Sequence, residues 1–174
     1  DDAYNTRPLL KFLIQVSCGL ILITTGTHIV MFSNDFLNYT ITLLWVVGLM
    51  NSINMLDNMD GITTIVSIAI ILSSILIIKL NNDINNVNVF SLIGVMAALI
   101  GFLYFNWHPS KMFMGDTGSQ FLGLFLAAMG IIYFWNPINA CENYVESKHF
   151  FIMLLSFAIP IIDINVIGIV GIFF

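Results

Sequence analysis

Three short stretches hold nearly every acid and amide in this chain that looks placed for chemistry. The densest is Asn51-Ser-Ile-Asn54-Met-Leu-Asp57-Asn58-Met-Asp60-Gly61, with two carboxylates and three carboxamides in eleven residues. On a helical wheel Asn51, Asn54, Asp57, Asn58, Asp60 and Gly61 share roughly half the circumference. Met55, Leu56, Met59 and Ile62 face the other way, with Ile53 the one intruder. Such an arc suits a wet cavity or a bound polar ligand, and a polar loop between two membrane helices is the plainer alternative. The second stretch opens the chain: Asp1-Asp2, then Asn5, Arg7 and Lys11. Adjacent acids repel, so the pair is useful where a cation sits or where one acid must hold a proton. The donors that follow suit phosphate oxygens. The third is Lys111-Met-Phe-Met-Gly115-Asp116-Thr117-Gly118-Ser119. Its glycines allow a tight turn and close backbone approach, and Thr117 or Ser119 is placed to cap the helix that follows. A helix N-terminus beside Asp116, a hard oxygen ligand, suits a metal-bound pyrophosphate.

Three acid-bearing segments on one face would provide for Mg²⁺ and a phosphate ligand, with little covalent machinery. That matches phosphoryl transfer, in which a metal and in-line positioning do most of the work. His28, His108 and His149 fall on different faces or far from the acids and read as interfacial or satisfied. Asp163, three residues after Pro160 in an apolar run, is a functional candidate by its position alone. Cys18 and Cys141 have no metal-type spacing and read as neither disulfide nor site.

The elements that must position these residues are membrane helices. The chain is 59% hydrophobic and 9% charged, with a mean hydropathy of +0.96, against roughly 25% charged residues in soluble domains. Its apolar runs are continuous rather than alternating, so an all-α, polytopic helical bundle is expected. A formal charge of −5 resting on few groups offers nothing to nucleic acid. Six runs are expected: Pro8 to about Phe32, Phe36 to Met50, Ile62 to Leu80, Val87 to Phe105, Thr117 to Trp135, and His149 to the end, kinked or divided at Pro160. Lys11 and Gln15 lie one turn apart near the entrance of the first run, so that end faces an aqueous site or interface. If the helices alternate in direction, residues 1–7, 51–61 and 106–119 share one membrane face. Arg7, Lys11 and Lys111 flank that face and Lys79 and Lys148 the other, a bias that points to a cytoplasmic site.

In combination the three stretches resemble the polyprenyl-phosphate N-acetylhexosamine-1-phosphate transferases, membrane glycosyltransferases of family 4. The matching residues are Asp1-Asp2 through Pro8-Leu-Leu-Lys11; Asn51, Asn54, Asp57, Asp60 and Gly61; and Pro109 through Ser119. The run Gly-Asp-Thr-Gly-Ser-Gln-Phe-Leu-Gly looks more like the branch using UDP-GlcNAc. The resemblance implies attack of undecaprenyl phosphate on the β-phosphate of a UDP-sugar, releasing UMP, at the cytoplasmic face of a bacterial inner membrane. It implies Mg²⁺, with Mn²⁺ as a substitute, held by Asp116 with Asn54 as co-ligand. Asp1 and Asp2 would orient or deprotonate the lipid phosphate, with Asn5 and Lys11 on phosphates. Asn51, Asp57, Asp60 and Gly61 would hold the nucleotide side, joined in substrate binding by Lys111, Gly118 and Ser119. The resemblance leaves an oligomer open. It also implies that residues 1–174 are a partial transferase domain, lacking upstream helices and a C-terminal His-rich loop, and inactive alone. The competing class is an ion-coupled transporter or channel module, which would spread acids through the membrane depth. A CDP-alcohol phosphotransferase is disfavoured, because Asp60-Gly61-Ile-Thr-Thr does not continue into that class's Ala-Arg pattern.

Overall fold

The computed structural model describes residues 8–80, 87–136 and 152–162. Its elements are α1 (Pro8–Thr24), α2 (Asp35–Leu56), α3 (Ile62–Leu80), α4 (Val87–Asn106) and α5 (Gly115–Gly130), the last running into a π-helical turn, Ile131–Trp135. Residues 152–156 and 158–162 are also helical, with the interruption at Phe157 within a turn of Pro160. Four of these helices, counting α5 with its π-helical extension, are long and apolar enough to cross a membrane, and α1 is a shorter apolar helix. The chain is therefore an all-helical, multi-pass membrane protein. The last expected run lies partly outside the described residues, as do Asp163, Cys141 and His149.

Local chemistry explains where the elements depart from the apolar runs. The first run was expected to reach Phe32, but α1 stops at Thr24. The backbone N–H groups of Ile29, Met31 and Phe32 are instead taken by side chains at the start of α2. Thr42 Oγ1 accepts from Ile29 (2.9 Å), and Asn38 Oδ1 accepts from Met31 (3.1 Å) and Phe32 (2.8 Å). In lipid an unpaired backbone group is costly, so these contacts let the chain leave the helix here. Asn34 caps α2 by accepting from the Phe36 N–H (3.0 Å). The fifth run begins two residues before Thr117, at Gly115. Neither Thr117 nor Ser119 caps it: the cap position is Met114, which makes no side-chain cap bond.

Helix α2 is the centre of the bundle and packs most extensively on α5, then on α1, while α3 packs on α4 and α5. Trp45, Val46, Leu49 and Ile53 of α2 meet Leu122, Leu126 and Ala127 of α5 in one buried cluster with Ile70 and Ile71 of α3. Lipid tails are as apolar as these side chains, so close packing rather than water exclusion holds the helices together. The α2 and α5 backbones come close at Gly123, where an added Cβ would lie 2.7 Å from Met50 Cα and 3.2 Å from Leu49 O. This crossing sits one turn from Asn51, Asn54, Ser119 and Gln120. At the opposite end of the bundle, Asn136 ties the π-helical turn to the loop after α1. It donates to His28 O (2.6 Å) and accepts from the Val30 N–H (3.0 Å).

Candidate functional site

Asn51 and Asn54 lie three residues apart near the end of α2 and so share a face, and that face meets the first turns of α5. The helical arc expected for the whole stretch holds only to Leu56. Beyond it, residues 57–61 form a turn, closed by the Asp57 N–H on Ile53 O (3.3 Å). Leu56 and Ile53 enter the core, whereas Met55 and Met59 are exposed. The turn ends in Gly61 at φ +74°, a left-handed conformation that costs glycine little. Gly115, at φ +72°, makes the matching bend where the third stretch enters α5.

Asp116, in the first turn of α5, is where the stretches converge. Its Oδ2 accepts from Lys11 Nζ of α1 at 2.9 Å, with the two side chains 33% and 26% exposed. The Asn54 amide reaches the other carboxylate oxygen. With its nitrogen toward α5 it donates to Asp116 Oδ1 (2.8 Å) and Ser119 Oγ (2.7 Å), and its oxygen accepts from Lys11 Nζ (3.3 Å). The reverse orientation would set carbonyl against carboxylate, so the network fixes this one. One carboxylate oxygen and one amide oxygen therefore face the same ammonium. Ser119, fully buried, is within hydrogen-bond distance of Gly115 O (3.1 Å) and Asp116 O (3.2 Å) as well.

Deeper in the bundle, Gln15 of α1 is 1% exposed. Its Nε2 donates to Asn51 Oδ1 of α2 (2.8 Å) and to Gln120 Oε1 of α5 (3.0 Å). Between α1 and α5 lies a pocket of about 270 Å³, with Leu10, Ile14 and Met50 as its apolar lining and Lys11, Asp116, Thr117 and Gln120 as its polar lining.

The remaining acids join the 57–61 turn to the loop between α4 and α5. Asp57 Oδ2 accepts from the Gly115 N–H (3.1 Å). Asp60 Oδ2 is 2.9 Å from His108 Nδ1 and accepts from the Ser110 N–H (3.3 Å). His108 is thus not far from the acids, contrary to the sequence expectation. That expectation failed because the contact depends on two turns 48 residues apart in sequence. Asn106, 3% exposed at the end of α4, holds the same two turns together. Its oxygen accepts from the Gly61 N–H (3.0 Å) and Thr64 Oγ1 (3.3 Å), and its nitrogen donates to Met112 O (2.9 Å) and Ser110 Oγ (3.4 Å).

The structure therefore brings together Lys11, Asn51, Asn54, Asp57, Asp60, Gly61, Asp116 and Ser119. Asp1, Asp2 and Asn5 lie outside the described residues. Lys111 is at the same end with an exposed side chain, its N–H donating to Phe105 O (2.9 Å). Gly118 packs against the Met114 side chain, where an added Cβ would lie 2.6 Å from Met114 Cγ. Asn58 turns back onto Met55 O (3.1 Å) and is exposed. Sequence reasoning missed Asn106 and Gln120. The available signal was a carboxamide at the edge of an otherwise apolar helix, where each unsatisfied polar atom is costly.

Comparison with known sequences gives a consistent picture. The sequence profile described as glycosyl transferase family 4 matches residues 1–134. A probable undecaprenyl-phosphate N-acetylglucosaminyl 1-phosphate transferase of Bacillus subtilis (strain 168) is 34% identical over 175 residues, covering 95% of this chain and 44% of the relative. Phospho-N-acetylmuramoyl-pentapeptide-transferases of Streptococcus uberis and Staphylococcus carnosus are 36% and 37% identical, each covering 71% of this chain and 39% of the relative. The chain thus spans less than half the length of these relatives. No solved structure matches it.

Proposed function

The chain belongs to glycosyl transferase family 4, and from that premise we propose that the complete protein transfers GlcNAc-1-phosphate from UDP-GlcNAc to undecaprenyl phosphate. An oxygen of the lipid phosphate forms a bond to the β-phosphorus, the bond from that phosphorus to the bridging oxygen breaks, and UMP leaves. The single observation that carries this reading is the cluster Lys11–Asp116–Asn54–Ser119. It unites α1, α2 and α5 at the end of the bundle where the other two described acids of the site, Asp57 and Asp60, also lie.

The donor set fits Mg²⁺, with Mn²⁺ as a substitute. Mg²⁺ takes one or two protein oxygens plus substrate phosphates rather than an all-protein cage, and the described residues contain no group of three or more acids, histidines or cysteines. Asp116 Oδ2 and the Asn54 oxygen already face one cation, the Lys11 ammonium. Asp116 and Asn54 would hold the metal, which when bound would neutralise pyrophosphate charge. Lys11 neutralises Asp116 and supplies donors to phosphate oxygens. Ser119 and Asn54 hold the Asp116 carboxylate in orientation. Asp57 and Asp60, fixed by backbone N–H groups, present the nucleotide side together with Asn51 and Gly61. Lys111, exposed at the same end, meets the outer phosphate or the lipid surface.

Asp1, Asp2 and Asn5 are assigned to the lipid phosphate. No strong base is required, because a phosphate monoester with a second pKa of about 6 is mostly ionised near neutral pH. We take residues 1–174 as part of one membrane transferase domain, with its site at the cytoplasmic face of a bacterial membrane. Among the described residues the acids are Asp35, Asp57, Asp60 and Asp116, all at helix ends rather than at mid-depth, which disfavours ion transport. The test is UMP release by the complete protein in nanodiscs. Release that needs both undecaprenyl phosphate and Mg²⁺ supports the proposal. Release without the lipid acceptor, or none from any UDP-sugar, refutes it.

A further inference from the structure

The buried carboxamides on α1, α2 and α5 form a chain with a direction. Gln15 spends both donors of its amide nitrogen, one on Asn51 Oδ1 at 2.8 Å and one on Gln120 Oε1 at 3.0 Å. In the second bond the Gln120 oxygen turns to Gln15, so its nitrogen is the end left over. That nitrogen is buried and has no acceptor among the described residues. A buried amide donor is rarely left unpaired, and an orphan of this kind calls for a specific explanation. Gln120 also lines the pocket between α1 and α5, in company with Lys11 and Asp116.

A ligand for this pocket follows from the chemistry of its wall. Lys11 supplies a cation beside the Asp116 carboxylate it neutralises, Thr117 and Gln120 supply polar groups, Gln120 with an unpaired N–H, and Leu10, Ile14 and Met50 supply apolar surface. An anionic oxygen would satisfy the Gln120 donor while lying beside the Lys11 ammonium, and a phosphate has several to offer. We infer that Gln120 binds a phosphate oxygen of the substrate in the pocket beside Lys11, and that Gln15 is the positioning residue that turns the Gln120 amide toward it. This rests on the phosphotransfer reading above. The phosphate belongs either to the lipid acceptor or to the pyrophosphate of the nucleotide sugar.

Kinetics on the complete protein in nanodiscs separate the two sources. Gln120→Leu raises one KM about tenfold, the expected scale for losing one hydrogen bond to a charged group, with kcat changed less than threefold. A rise confined to undecaprenyl phosphate assigns the acceptor, and one confined to UDP-GlcNAc assigns the donor. Gln120→Asn, which keeps the amide but withdraws it by one methylene, gives an intermediate rise. Gln15→Leu raises the same KM, and the double variant is no worse than Gln120→Leu alone. Both KM values within twofold of wild type for Gln120→Leu, or additive effects in the double variant, overturn the inference. Equilibrium binding of undecaprenyl phosphate and of UDP-GlcNAc, measured without turnover, decides it independently of catalysis. Tenfold weaker binding of one of them by Gln120→Leu supports the inference even if no UMP is released. Unchanged binding of both, or binding of neither by the wild type, overturns it.

Discussion

Gly123→Ala tests whether the helix crossing builds the site. The new Cβ would stand 2.7 Å from Met50 Cα, 3.2 Å from Leu49 O and 3.3 Å from Met50 N, where ordinary contact begins at 3.4 Å and extends to 4 Å. All three neighbours are backbone, so no side chain can swing aside and α5 must back away from α2 by about 0.7 Å, the difference between 2.7 and 3.4 Å. The displacement falls one turn below the bonds from Asn54 to Asp116 Oδ1 (2.8 Å) and Ser119 Oγ (2.7 Å). Lengthened by that amount, the two reach about 3.5 and 3.4 Å, where little of either hydrogen bond remains. A misplacement of about 1 Å in a catalytic constellation costs on the order of 100-fold in rate, and overpacking adds roughly 1–3 kcal/mol of instability. The control is Gly101→Ala on α4, where a Cβ meets nothing within 4 Å. UMP release by detergent-purified protein, normalised to folded protein from size-exclusion chromatography, should fall about 100-fold for Gly123→Ala and stay within twofold for Gly101→Ala. Activity of Gly123→Ala within threefold of wild type would show that the α2–α5 spacing does not set the site.

Other substitutions probe separate joints of the same structure. Asn106→Ala removes the partners of the Gly61 N–H and Met112 O at a position only 3% exposed. It should cost about 2–6 kcal/mol, at roughly 1–3 for each of the two polar groups left unsatisfied, read as a lowered thermal midpoint together with lost activity. An unchanged midpoint contradicts the clamp. Lys11→Met leaves Asp116 without its ammonium partner, and since both side chains are about a quarter to a third exposed, the effect on stability should be small. Its effect should appear instead as a KM at least tenfold higher for a phosphate-bearing substrate. Ser52→Ala deletes the bond from Ser52 Oγ to Pro160 O (2.9 Å). About 1 kcal/mol of stability should go with it, and a thermal midpoint equal to wild type would show that residues 158–162 are held by other contacts.

Much of this arrangement was legible in the sequence because lipid is an unforgiving solvent. Acids and amides in an apolar chain cluster where they have partners, so alternating the runs was enough to bring residues 51–61 and 106–119 to one end. The structure joins them through Asp57 to Gly115 and Gly61 to Asn106. Local departures from helical periodicity were not legible. The wheel drawn through Gly61 could not show that the helix ends at Leu56, because that end depends on the Gly61 turn being held from α4. The role of Gln15 was half visible: its spacing from Lys11 placed it at an aqueous site or interface, but the two helices it bridges are 36 and 105 residues away. His108 was discounted on sequence distance for the same reason. That the Met114 side chain packs over Gly118 was likewise not legible, because it depends on how the loop enters α5.

The central claim is that Asp116 is the carboxylate on which a divided site converges. The most direct measurement is transfer of radiolabelled GlcNAc-1-phosphate to undecaprenyl phosphate by the complete protein carrying Asp116→Asn. This variant keeps the size of the side chain and removes its charge. The expected result is folded protein with label transfer reduced by about 100- to 1000-fold at every Mg²⁺ concentration, the scale of losing one preorganised electrostatic contact. Transfer within tenfold of wild type at saturating Mg²⁺ would contradict it.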